Sequence, residues 1–122
     1  MSNQTQDLIV VMSNGINDER SSVGLTLANG AMTAGMTVGL FLTSNAIDLV
    51  RKNGVDYTHV HPMESLKDLL HAFIERGGKV WCCPPCTHGR GYTEDNLIEG
   101  VEIMGASVIF ERIKNGASTL CF

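Results

Sequence analysis

No apolar run in this sequence approaches the roughly 20 residues of a membrane-spanning helix, because glycine or a polar side chain interrupts each one. The expectation is a soluble chain with no membrane partner. Lysine and arginine are absent from the opening MSNQTQD, which leads into a single short apolar stretch, so no secretory leader is predicted and the cytoplasm is the expected location. Basic residues are few: nine Lys and Arg, scattered along the chain, stand against thirteen Asp and Glu for a net charge of -4. Nucleic-acid binding through bulk charge needs clustered cations, so that class is excluded. No internal repeat, low-complexity tract or linker is present, and 122 residues suffice for one core without staples, which predicts a single domain over residues 1–122.

What is present is an alternation of short apolar strands and helical stripes. Residues 8–12 form a continuous apolar run closed by Ser13-Asn14-Gly15, the pattern of a strand buried on both faces. Val23, Leu27 and Ala31 mark a helix from about Ser22 to Ala34, with Asp18-Glu19-Arg20 before it reading as a charged surface turn. Met36 to Thr43 is a second strand, and Ser44 or Asn45 caps a short helix stopped by Asn53-Gly54. Val55 to Met63 reads as a surface connection, with His59 and His61 solvated. Leu66, Leu69, Leu70, Phe73 and Ile74 follow the spacing of an amphipathic helix ended by Gly77-Gly78. Lys79 to Cys82 or Cys83 is a third strand, broken by Pro84-Pro85. A glycine-rich loop, a short helix from Thr93 to Glu99, a strand over Val101 to Met104, a helix capped by Ser107 and a strand from Ala117 to Phe122 complete the chain. Such an order predicts a three-layer α/β fold with a five-stranded, mainly parallel sheet and helices on both faces, its reactive groups at the carboxyl ends of the strands.

The stretch from Trp81 to Tyr92 concentrates Cys82, Cys83, Cys86, His88 and Arg90 at such a strand end. In a reducing compartment, closely spaced thiols more often bind metal or handle sulfur than hold a fold together. The thiolate is the reactive form, and a neighbouring cation such as Arg90 stabilises it, while glycines let backbone amides approach a bound anion. Adjacent strand residues point to opposite faces, so Cys82 and Cys83 diverge; Cys121 reads as buried core, and Trp81 as core too.

The segment resembles the DsrE/DsrF-like sulfur-relay family, in which a cysteine after a central strand precedes an Arg-Gly pair; Cys83, Arg90 and Gly91 match, and Cys86 completes a C-x-x-C. Ala31 to Gly35 leading into Val38 to Thr43, and Asn96 to Gly105 with the final Phe122, extend the likeness over most of the chain. The resemblance implies a homo-oligomer, a trimer or hexamer, in which a cysteine accepts sulfane sulfur as a persulfide and passes it on. Cys83 is then the carrier, Cys86 the assisting thiol and Arg90 the electrostatic stabiliser, with Ser13, Asn14, His88 and Gly91 as candidate substrate-binding residues. The expected partners are sulfur donor and acceptor proteins or small sulfane-sulfur compounds. No metal and no organic cofactor are called for. Pro84-Pro85 and the glycines after it depart from members in which this segment is regular helix.

Two other readings stay open. Cys82, Cys83, Cys86 and His88 supply enough ligands for zinc on paper, although zinc sites normally draw on two separated knuckles and only one is present. A non-catalytic, oligomeric redox-sensing or ligand-binding protein on the same fold is the second. Ser13-Asn14-Gly15 is a weak signal for a phosphate-binding turn.

Overall fold

The computed structural model describes residues 7–59 and 61–122; the polar opening residues 1–6 and Val60 of the surface connection lie outside that description. Among the described residues, five strands form one sheet: β1 (Asp7–Met12), β2 (Thr37–Leu42), β3 (Lys79–Cys82), β4 (Val101–Ile103) and β5 (Ser118–Cys121). Their order is β4-β3-β2-β1-β5 and every pairing is parallel. All carboxyl ends therefore share one edge.

Among the described residues the α-helices are α1 (Glu19–Thr33), α2 (Leu66–Glu75), α3 (Pro84–His88) and α4 (Ser107–Lys114). Helices α1 and α2 pack together on one face over a large core that includes Val10, Leu25, Leu40, Leu70, Phe73 and Cys82. A smaller cluster, Ile9, Phe41, Trp81 and Ile109, lies on the opposite face, where Ile109 comes from α4. The connection carrying α4 returns the chain past the whole sheet to place β5 beside β1. Trp81 packs over Gly39 so closely that a Cβ there would lie 2.3 Å from the indole ring.

Several boundaries differ from expectation. Asp18 is the N-cap of α1, its carboxylate accepting from the Arg20 amide at 2.9 Å, so the helix starts three residues earlier than Ser22 and the charged triplet is a cap and first turn. Residues Ser44–Leu49 form a 3-10 helix, with Ala46, Ile47 and Leu49 buried and a positive φ at Ser44. The helix expected over Thr93 to Glu99 shrinks to one 3-10 turn, Glu94–Asn96. Beyond it, Leu97 bridges Arg51 in extended geometry, a pairing with a distant segment that local pattern does not encode. Ala106, not Ser107, is the N-cap of α4.

Two further corrections concern the cysteine region. Pro84 and Pro85 do end β3, but the chain turns at once into α3 rather than a loop, because proline at the first helical positions forfeits only amides that would have no partner there. Cys121 is exposed, not buried. It lies on edge strand β5, whose four residues are all exposed, and the buried cluster beneath α4 is built from β1, β2 and β3 without it.

Candidate functional site

The sheet ladder delivers the cysteines to the carboxyl edge. The Cys83 amide donates to Leu42 O at 2.9 Å, extending the β2–β3 pairing by one residue before the prolines stop it. Pleat alternation separates the two adjacent thiols: Cys82 joins the large core, while Cys83 packs partly against the small cluster. Burial pushes the Cys82 thiol up to about 12, only partly offset by the Thr87 hydroxyl, so this cysteine is inert at neutral pH.

Cys83 is half-exposed and is the N-cap of α3. Its carbonyl accepts from both the amide of Thr87, at 3.0 Å, and the buried Thr87 hydroxyl, at 2.8 Å. That double clamp fixes the residue. Because Pro84 and Pro85 carry no N–H, the Cys86 amide is the first that the turn presents to the Cys83 sulfur; it favours the thiolate from nearby without meeting hydrogen-bond geometry. Burial outweighs it and raises the Cys83 pKa above the ordinary 9.0, and the neighbouring Cys86 thiol pushes in the same direction. Cys83 and Cys86 are thus brought together, both half-exposed.

Arg90 does not reach either sulfur by hydrogen bond. Its guanidinium donates to the Cys86 carbonyl at 3.1 Å and to Asn45 Oδ1 at 2.9 Å, tying the end of α3 to the loop after β2. Gly91 adopts φ +76°, a left-handed conformation that a side chain would strain, and lets the Tyr92 amide turn back to Thr87 O. Tyr92 then donates to Asp48 at 2.7 Å with Arg51 over its ring. His88 is exposed on the last turn of α3. Among the described residues, no group of three or more His, Cys, Asp or Glu is placed to hold a metal ion.

Asn14 lies across from this network, where a cavity of about 310 Å³ is lined by Asn14, Asn17, Asp18, Asn45 and Asp48 with the backbone around Gly15. Through Asn45 it adjoins Arg90. Ser13 is placed elsewhere, its amide and hydroxyl both directed to the carbonyl of Phe122 beyond β5. The cavity carries two carboxylates and no lysine or arginine in its lining, and the Arg20 guanidinium holds Asp18 ionised with a pKa of about 2. Such a lining suits hydrogen-bond donors rather than phosphate, which removes the physical basis for a phosphate turn at Ser13-Asn14-Gly15. Sequence pattern did not single out Asn45, Asp48, Thr87 or Tyr92 as part of this site; Asn45 and Arg90 are 45 residues apart, and no local signal joins them.

Comparison with known proteins matches the DsrE/DsrF-like family profile to residues 6–122. The chain belongs to the DsrE/DsrF-like family. At the family level this membership points to sulfur relay. An uncharacterized protein of Methanopyrus kandleri is 27% identical over 114 residues, spanning 93% of this chain and 91% of that protein. One from Methanocaldococcus jannaschii is 28% identical over 104 residues, covering 85% of this chain and 88% of its own length. Among solved structures, the YchN protein of E. coli superimposes with a TM-score of 0.78 at 23% identity, covering 98% of this chain and 100% of that one. A protein of unknown function from Methanobacterium thermoautotrophicum gives 0.71 at 15% identity, over 98% and 100% of the two chains. At these identities the structural likeness fixes the DsrE-like fold.

Proposed function

We propose that this protein carries sulfane sulfur as a persulfide on Cys83 and delivers it to an acceptor thiol. The observation that supports this most directly is a half-exposed Cys83, clamped at the end of a central strand, with a second half-exposed thiol one helical turn away. The Cys83 thiolate attacks the outer sulfur of a donor persulfide, R–S–SH; a sulfur–sulfur bond forms, the donor's S–S bond breaks, and R–S⁻ leaves. An acceptor thiolate then attacks the outer sulfur of Cys83–S–SH, becomes the new persulfide, and releases the Cys83 thiolate. Neither step changes the overall oxidation level. If no acceptor arrives, the Cys86 thiolate can attack the inner sulfur, closing a Cys83–Cys86 disulfide and expelling hydrosulfide.

A raised pKa suits storage. The thiolate is scarce but more nucleophilic when formed, and it is a slow leaving group, so the loaded state persists until a partner engages it. Arg90 enters as the residue that holds the Cys86 turn and keeps a positive charge beside the site, and the Asn14–Asn45 cavity is the place for the donor's or acceptor's polar groups. The setting proposed is a reducing cytoplasm; among the described residues no helix is long and apolar enough to cross a membrane. The oligomer proposed is a trimer or hexamer, supported by apolar side chains left open on α4 and β5: Phe110 is 61%, Leu120 42% and Ile113 38% exposed.

The test is intact mass after incubating reduced protein with glutathione persulfide and removing excess donor. In a Cys121→Ser background, because Cys121 is exposed, Cys86→Ser should gain one sulfur atom, the protein that keeps Cys86 should either gain one or lose two hydrogens as the Cys83–Cys86 disulfide, and Cys83→Ser should lose that loading. Equal loading of Cys83→Ser, or none on Cys86→Ser, refutes the carrier role and leaves the redox-sensing reading, which the adjacency of Cys83 and Cys86 favours.

A further inference from the structure

The nine cations are scattered in sequence, yet the fold gathers three of them at the amino edge of the sheet, the end opposite the cysteines. Arg76 follows α2, Lys79 opens β3 and Arg112 lies near the end of α4; together they line a cleft of about 260 Å³ whose apolar lining includes Met32 and Met36. The charge there is not cancelled. Arg112 is engaged by Asp7 at 3.0 Å, and its guanidinium lies 5.0 Å from the centre of the Trp81 ring. Arg76 is held only by neutral acceptors, donating to Asn29 O at 3.2 Å and Thr33 Oγ1 at 2.9 Å. Lys79 forms no ion pair among the described residues. Three cations against Asp7 leave two positive charges in the cleft of a chain whose net charge is -4.

We infer that this amino-edge cleft binds a small organic anion, a phosphate or carboxylate head on a short apolar arm, with Arg76 and Lys79 on the head and Met32 and Met36 along the arm. Neutral acceptors fix the Arg76 fork in advance while leaving its charge whole, so little order remains to be imposed on binding. Lys79 adds a mobile point charge that suits either head group. The methionine thioethers supply an adaptable apolar surface, which inorganic anions cannot exploit and an alkyl arm can. The cleft stands apart from the cysteine edge, and this binding does not depend on the sulfur-carrier reading.

The test is calorimetric titration of the full chain with hexyl phosphate, hexanoate and inorganic phosphate, with Trp81 emission as a second readout because the only tryptophan lies under Arg112. At least one alkyl anion should bind saturably with a Kd on the order of 1 mM or tighter, and at least about ten-fold more tightly than inorganic phosphate. Lys79→Ala and Lys79→Gln, both at an exposed position, should weaken it by about ten-fold, and Cys83→Ser should leave it unchanged. Lack of saturable binding by both alkyl anions, binding unaffected in both Lys79 variants, or inorganic phosphate binding as tightly as the alkyl anions overturns the inference.

Discussion

The reactivity of Cys83 should be strongly pH-dependent, and the structure sets both the sign and the scale. Burial raises its pKa above the ordinary 9.0, with the adjacent Cys86 thiol adding to the rise and the Cys86 amide opposing it. A thiol with a pKa of 9 or more is at most roughly 3% thiolate at about pH 7.5, so its alkylation should accelerate by about ten-fold per pH unit from about pH 6.5 to 8.5. No plateau should appear in that range. The assay is iodoacetamide labelling followed by peptide mass, in a Cys121→Ser background because Cys121 is exposed and would react in parallel. Cys82, pushed up to about 12 and buried, should remain unlabelled and serve as the internal control. In Cys86→Ser the competing thiol is gone and the Cys83 inflection should move down. An inflection below about pH 8 in the wild type, or an upward movement in Cys86→Ser, would refute the argument that burial dominates this thiol.

Two other outcomes follow from the same geometry. Thr87→Val keeps the shape but removes the hydroxyl bond to the Cys83 carbonyl, and should lower stability by about 1–2 kcal/mol in urea denaturation, with faster labelling of Cys83 as its turn loosens. Phe110→Glu places a charge in the open apolar patch of α4, and should shift the mass measured by light scattering from an oligomer to a monomer without altering the circular dichroism spectrum; a wild-type monomer mass would contradict the oligomer.

The alternation of apolar runs with helical stripes was enough to fix the layers, the parallel sheet and the edge on which the cysteines stand, because strand and helix periods are local properties of the chain. Pleat alternation likewise assigns Cys82 and Cys83 to opposite faces. Pattern misjudged Cys121: an apolar strand at the end of the chain looks like core, and only the strand order shows that β5 is an edge left largely uncovered. It also missed the turn into α3, since two prolines announce the end of a strand and the start of a helix with the same residues. The polar site around Asn14, Asn45 and Arg90, and the gathering of Arg76, Lys79 and Arg112 at the opposite edge, depend on which loops the crossovers bring together. Local sequence determined what most segments are and that Cys82 and Cys83 point to opposite faces. Tertiary structure decided what each loop meets, because contacts between residues far apart in the chain leave no period in the sequence to read.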